Sequence, residues 1–150
     1  MKEPVVIDTS TLLNFILAGR LDILARLDTY SFFVPAGVIA EVKRRKERED
    51  LIQGIHEEII RVVFMTDQEV ELSRNFQDSR NPPVLDAGEA ACVSSAVTRR
   101  WKIAMDDRAG QRVIRNHIGR RYLLTTKSLL KMAWKKRIIS KREMRNFPGI

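Results

Sequence analysis

Acidic side chains follow two short apolar runs that are predicted to be strands. Asp8 comes directly after residues 5–7, and the adjacent pair Asp106 and Asp107 follows a second run at residues 102–105. In a parallel α/β sheet, ligands bind beyond the carboxyl ends of the strands. These three carboxylates are therefore expected at a ligand-binding edge of the fold.

Three more acids belong to predicted helices. Glu41 falls about two turns after Pro35, where a helix is predicted to begin, and Asp86 and Glu89 share one face at the start of another helix. Each also has a structural interpretation, with Glu41 as a solvated residue, Asp86 as an N-cap and Glu89 as an acid that the helix dipole stabilises. Taken together, four segments bring carboxylates toward one crevice.

Such a cluster of carboxylates favours a hard divalent cation. Bare carboxylates would repel one another and raise their pKa values, and Mg²⁺ takes oxygen ligands while bridging carboxylates to phosphates. The chain has only two histidines and one cysteine, so Mg²⁺ or Mn²⁺ is favoured over Zn²⁺. A bound metal can generate hydroxide and stabilise charge on a phosphodiester. The same counts argue against disulfides and against a histidine-based catalytic triad.

The charge is unevenly distributed along the chain. The net charge is +8, yet residues 1–98 hold 11 basic and 16 acidic side chains, whereas residues 99–150 hold 16 basic and 3 acidic ones. A basic half of this kind predicts a polyanion partner, and nucleic acid is favoured over a membrane surface. Arg108, Arg112 and Lys127 lie near the predicted acidic edge and are the candidate nucleic-acid contacts.

Strands and helices alternate along the chain, which predicts a parallel α/β sheet. The predicted strands are residues 5–7, 31–35, 59–65, 102–105 and 122–124. The predicted helices begin after Asp8 and at Leu21, follow Pro35 into residues 43–46, and cover residues 68–76 (capped by Asp67), 87–99, 108–117, 127–137 and 141–145. The length of 150 residues fits a single domain, residues 1–150.

Four motifs in this order resemble the PIN domain, a family of metal-dependent ribonucleases that includes VapC-type toxins. They are V-I-D-T-S-T-L-L-N, P-A-G-V-I-A-E-V, L-D-A-G-E-A-A-C and I-A-M-D-D-R-A-G-Q-R, and the segment L-T-T-K-S-L-L-K-M-A-W-K-K-R-I-I resembles the close of the Gly-Glu, Asp-Asp-Arg subgroup. The similarity covers about residues 4–139. It implies an α/β/α sandwich with a mainly parallel central sheet.

The resemblance also implies roles for particular residues and partners. The implied acidic residues that bind Mg²⁺ or Mn²⁺ are Asp8, Glu41, Glu89 and Asp107 or Asp106, with support from Thr9 or Ser10. It implies an RNA substrate, a homodimer and a small antitoxin protein that blocks the acidic groove. Met105 departs from the Thr or Ser that many members have before the fourth acid.

The leading hypothesis is therefore a metal-dependent endoribonuclease, the toxin of a toxin–antitoxin pair. The alternative is a non-catalytic nucleic-acid-binding or regulatory module on the same fold, and the basic half of the chain supports this alternative. A phosphatase of the haloacid dehalogenase type is disfavoured because Ser10 stands where that chemistry needs a second Asp. No apolar run reaches the ~20 residues that cross a bilayer, and Glu3 interrupts any signal sequence, so the expected setting is the cytoplasm.

Overall fold

A computed structural model describes residues 1–150 and contains one five-stranded sheet in the order β3-β2-β1-β4-β5. All four neighbouring pairs are parallel. The strands are β1 (Glu3–Ile7), β2 (Tyr30–Pro35), β3 (Ile60–Val63), β4 (Lys102–Ala104) and β5 (Leu123–Leu124). The predicted α/β/α fold is confirmed, and the mainly parallel sheet is entirely parallel.

Eight α-helices and two short 3₁₀ helices connect and cover the strands. The α-helices are α1 (Thr9–Leu17), α2 (Asp22–Arg26), α3 (Arg45–His56), α4 (Asp67–Gln77), α5 (Ala87–Arg99), α6 (Arg108–His117), α7 (Thr126–Lys135) and α8 (Lys141–Arg145). The 3₁₀ helices are Ala36–Glu41 and Arg120–Tyr122. None of these helices has both the length and the apolar character that crossing a bilayer requires.

The sheet separates two hydrophobic cores. Val5 and Ile7 of β1 face the core that includes residues of α1, α3 and α7, whereas Val6 between them faces the core built with α4, α5 and α6. All three are fully buried. Because alternate residues of a strand point to opposite faces, a continuous apolar run is what a strand covered on both faces needs.

The point where the winding direction reverses lies between β1 and β4. From β1 the chain adds β2 and β3 on one side, and it then returns to place β4 and β5 on the other. Ile7 is in register with Ala104, and the Asp8 N–H continues the ladder by donating to the Ala104 carbonyl at 3.0 Å. The carboxyl ends of these two strands therefore meet, which is where doubly wound sheets bind ligands.

The segment after Pro35 differs from the prediction. The expected helix does not run into residues 43–46, because the 3₁₀ helix ends at Glu41 and Val42 is extended and buried. Gly37 and the β-branched residues of this segment disfavour a longer α-helix, and Val42 must turn inward to reach the core. The separate helix α3 was not predicted. At α4, Thr66 rather than Asp67 is the N-cap.

Candidate active site

Asp8 lies at the junction of β1 and α1 and is only 3% exposed. The Ser10 hydroxyl donates to its carboxylate at 2.8 Å, while the Thr9 hydroxyl is buried without a partner. Burial raises the pKa of Asp8, and the charges of Asp86 and Asp107 raise it further against the lowering effect of the hydrogen bonds. Asp8 is thus a buried carboxylate with carboxylate neighbours.

Glu41, at the end of the 3₁₀ helix, reaches the same place by lying against Gly88 of α5. A side chain at position 88 would collide with the Glu41 carboxylate, so the missing Cβ lets the acid approach the helix. Burial raises the pKa of Glu41, and the charges of Asp86 and Asp8 raise it further, while Lys43 lowers it.

Asp86 and Glu89 form a capping box at the start of α5. An Asp86 carboxylate oxygen accepts from the Glu89 N–H at 2.8 Å, and a Glu89 carboxylate oxygen accepts from the Asp86 N–H at 3.1 Å. Burial and the charges of Asp86 and Asp107 raise the pKa of Glu89 to about 7, against the lowering effect of its hydrogen bond with the Asp86 N–H. The residue that a structural interpretation treats as a helix-stabilising acid is therefore also an electrostatically crowded one.

The adjacent acids after β4 have different surroundings. Asp107 caps α6 by accepting from the Gly110 N–H at 2.8 Å, and its charge acts on Asp8 and Glu89. One oxygen of Asp106 instead accepts from the Thr126 N–H at 2.9 Å, and the other accepts from the Thr126 hydroxyl at 2.6 Å. The geometry favours Asp107 over Asp106 as the acid facing the others.

Asn14 completes the surroundings of Asp106. Its side-chain amide donates to the Thr126 hydroxyl at 3.1 Å and lies 3.5 Å from an Asp106 oxygen. These contacts join α1, the end of β4 and the start of α7. Sequence reasoning missed these partners because Asn14 is separated from Asp106 by 92 residues, and only the two threonines at the start of α7 gave any signal.

We call the five acids that are linked by the action of their charges on one another the acidic cluster: Asp8, Glu41, Asp86, Glu89 and Asp107. No member forms a salt bridge with a lysine or arginine. Asp86 is the N-cap that its structural interpretation predicts, and it also adds its charge to three neighbouring acids.

The donor chemistry of the acidic cluster fits a hard divalent cation, because it consists of carboxylate oxygens whose repulsion such an ion would relieve. Cys92 is buried beside Asp8, and burial raises the pKa of its thiol well above the usual value. It therefore does not supply a thiolate. No three acidic, histidine or cysteine side chains are already arranged as a set of metal ligands.

The candidate nucleic-acid contacts flank this edge. Arg108 and Arg112 are exposed on α6, which begins at Asp107, and Lys127 is exposed on α7, which begins beside Asp106. Both helices start at the carboxyl ends of strands and run away from them.

The all-parallel, doubly wound sheet with acids at its switch point defines a doubly wound α/β protein with an acidic candidate site. A family model described as the PIN domain matches residues 4–143, and the chain therefore belongs to the PIN-domain family. PIN domains are generally nucleases and generally use divalent metals. No curated protein matches the chain. The predicted family is confirmed, and the VapC-like subgroup stays a prediction.

Proposed function

We propose that this chain, as a single domain over residues 1–150, is a Mg²⁺- or Mn²⁺-dependent endoribonuclease and the toxin of a toxin–antitoxin pair. The observation that carries the proposal is the acidic cluster itself. Five carboxylates from four segments lie at the switch point of the sheet, and none of them forms a salt bridge. Folding charges together in this way costs stability, which is a common feature of sites that bind and react.

In this proposal, Asp8, Glu41, Glu89 and Asp107 hold the cation. When bound, the metal ion would supply a hydroxide nucleophile and stabilise charge on the phosphodiester. Asp106 orients the end of β4 through Thr126. Of the two adjacent acids, Asp107 is the proposed ligand because both Asp106 oxygens are already engaged.

The chain's own residues also have roles in proton transfer and orientation. Glu89, with a pKa of about 7, can hold or release a proton near neutral pH in the absence of metal. Ser10 fixes the orientation of the Asp8 carboxylate. Arg108, Arg112 and Lys127 would bind phosphates on either side of the cluster.

The biological part of the proposal concerns partners and setting. A homodimer and a small antitoxin are proposed from the family resemblance, with an antitoxin arginine or lysine entering the acidic cluster in place of metal. The protein would act on RNA in the cytoplasm. Co-expression with the product of a small neighbouring open reading frame tests this part, and unchanged RNA cleavage by the co-purified pair would contradict it.

The decisive experiment is RNA cleavage by the wild-type chain with Mg²⁺ or Mn²⁺, compared with the Asp8→Asn variant and with excess EDTA. Cleavage is expected only in the wild type with metal. Asp28→Asn is the matched control, because Asp28 is an exposed aspartate paired with Lys136 far from the cluster. Equal cleavage by Asp8→Asn, or cleavage that survives EDTA, would refute the proposal.

One observation favours the alternative of a non-catalytic nucleic-acid-binding module, namely the basic half of the chain, where 16 basic side chains stand against 3 acidic ones over residues 99–150. That module would bind RNA with steep salt dependence and would show no metal-dependent turnover. The same cleavage assay, run beside a binding assay, separates the two functions.

A further inference from the structure

A basic surface extends from the acidic cluster to the opposite end of the sheet. Helix α6 begins at the cluster and runs about 15 Å toward the amino ends of the strands. Its exposed arginines share one face at i, i+4 and i+7 spacing, and two more follow in the next 3₁₀ helix. We call this set the arginine track: Arg108, Arg112, Arg115, Arg120 and Arg121.

From Arg108 onward, the chain that carries the arginine track offers it no acidic competitor. Residues 108–142 contain no aspartate or glutamate, and no member of the track forms a salt bridge. Its guanidinium groups are therefore available for an external anion.

The track ends at a cleft of about 470 Å³ beside the amino ends of β1 and β4. We call it the amino-end pocket, and the residues that matter in it are Glu3, Arg100, Trp101, Lys102, Arg121 and Tyr122. Lys102 pairs with Glu3 at 2.7 Å, which neutralises the only acid of the pocket. Arg100 and Arg121 are left as its unpaired charges.

Both aromatic rings of the pocket carry a guanidinium group. The Arg99 guanidinium carbon lies 5.0 Å from the centroid of the Trp101 ring, and that of Arg121 lies 5.0 Å from the Tyr122 ring. Arg121 also donates to the Tyr122 hydroxyl at 3.2 Å. Nucleobases stack on aromatic rings and also on guanidinium planes. A base that enters the pocket can therefore stack on an aromatic ring or on a guanidinium group.

We propose that a single-stranded nucleic acid passes from the acidic cluster along the arginine track into the amino-end pocket. There, one base stacks beside Trp101 and Tyr122 while Arg100 and Arg121 pair with its phosphates. A single strand is favoured over a duplex because only unpaired bases can present their faces to the rings. An acidic peptide would pair with the arginines, but its carboxylates would not stack on the aromatic rings. The identity of the strand as RNA rests on the proposed function.

Tryptophan fluorescence tests whether the strand reaches the pocket. The chain has two tryptophans, so Trp134→Phe leaves Trp101 as the only reporter and Trp101→Phe leaves Trp134, which lies on α7. Both variants are made with Asp8→Asn and titrated in EDTA with a single-stranded RNA of about sixteen nucleotides. We expect saturable quenching of Trp101 and little change of Trp134. Quenching of Trp134 alone would overturn the proposed path.

The backbone supplies a variant that removes charge without harming the fold. Arg100 ends α5 in the left-handed conformation with φ of 54°, where glycine is preferred, so Arg100→Gly should fold at least as well as the wild type. Arg137→Gly is the matched control, since Arg137 has φ of 62° but does not line the pocket. Thermal denaturation of both variants checks the fold.

Affinity and its salt dependence then decide the proposal. Combining Arg100→Gly with Arg121→Gln should weaken RNA binding severalfold and reduce the salt slope by about 0.7 for each phosphate that the variant no longer neutralises. Arg137→Gly should leave both unchanged. Wild-type affinity in the double variant, or equal quenching of Trp101 by polyglutamate, would overturn it. Because this binding is measured with Asp8→Asn in EDTA, it does not depend on cleavage. Absence of cleavage by the wild type in the separate RNA assay would count against the proposed nuclease and would leave the binding result in place.

Discussion

Two glutamates of this chain occupy the same position of the same motif and have opposite surroundings. Glu69 and Glu89 are each the third residue of a helix, and each closes a capping box, with Thr66 in α4 and with Asp86 in α5. Arg99 donates to both Glu69 oxygens, at 2.8 and 3.0 Å, whereas Glu89 faces carboxylates.

The electrostatic consequence follows the partners rather than the motif. Burial alone would raise the pKa of Glu69, but the bonds from Arg99 and Thr66 outweigh it, so this pKa lies below its usual value. The pKa of Glu89 is raised to about 7. The capping box of Glu69 therefore stabilises the fold. The capping box of Glu89 contains a carboxylate for which the fold provides no cationic side chain in a salt bridge. This difference is what we would expect between a structural acid and a functional one.

The largest expected effect is on activity. Glu89→Gln keeps an oxygen for the Asp86 N–H but removes a proposed metal ligand, so RNA cleavage should fall at least about a hundredfold. Glu69→Gln makes the same chemical change in the matching box and should leave the rate per folded molecule unchanged. Cleavage rates at saturating Mn²⁺ test the pair, and equal losses in both variants would remove the distinction between the two boxes.

The second effect is on stability, and here the larger change is expected at Glu69 rather than at Glu89. Glu69 is fully buried, so Glu69→Gln leaves the Arg99 guanidinium without its carboxylate and should lower the free energy of unfolding by about 3 kcal/mol. Glu89→Gln removes repulsion and should leave this free energy equal or higher near pH 8. Urea unfolding of metal-free protein measures both. A large destabilisation by Glu89→Gln would show that its carboxylate is structural.

The part of this contrast that the sequence could predict depends on how far apart along the chain the interacting residues lie. Asp8 and the acids after β4 were predictable, because strand ends follow from apolar runs. The choice between Asp106 and Asp107 was not, since Thr126, which lies 20 residues away, engages Asp106. The pairing of Glu69 with Arg99 spans 30 residues and gives no local signal.

The fold shows the same limit. The strands were predicted within a few residues, because two-sided burial leaves an apolar run in each. Helix α3 was missed because only Leu51 and Gly54 of its twelve residues are buried, which leaves little hydrophobic periodicity to detect. The 3₁₀ segment before it was mistaken for an α-helix because Val38 and Val42, both of which are buried, lie four residues apart, a spacing that fits an α-helix.

A smaller effect is expected in the pH dependence of stability, where the two glutamates should give opposite slopes. The pKa of Glu89 is raised in the folded state, so folding binds a proton and metal-free stability should fall as the pH rises from about 4.5 toward 7. The pKa of Glu69 is lowered, so its contribution is present above the unfolded value and is lost as the pH falls.

Urea unfolding between about pH 4 and 8 in EDTA measures these slopes. Glu89→Gln should reduce the fall toward neutral pH, to which Asp8 and Glu41 also contribute through their raised pKa values, and Glu69→Gln should weaken the loss in acid. Adding Mn²⁺ should stabilise the wild type most at the upper end of this range, because cations compete with protons for Glu89. A metal effect that is largest in acid would contradict the assignment of Glu89 to the metal site.

The smallest expected effect compares two serines, each at the start of a helix. Ser10 donates to Asp8, whereas Ser140 caps α8 by accepting from the Glu143 N–H at 3.1 Å. The Ser10 hydroxyl stabilises the ionised Asp8 carboxylate, so Ser10→Ala should raise the pKa of Asp8 further. The acidic limb of the pH–rate profile should then move to higher pH. Ser140→Ala should instead lower the free energy of unfolding by about 1 kcal/mol and leave that profile in place. If both serines affect only stability, Ser10 is a structural cap like Ser140, and its bond to Asp8 does not tune the site.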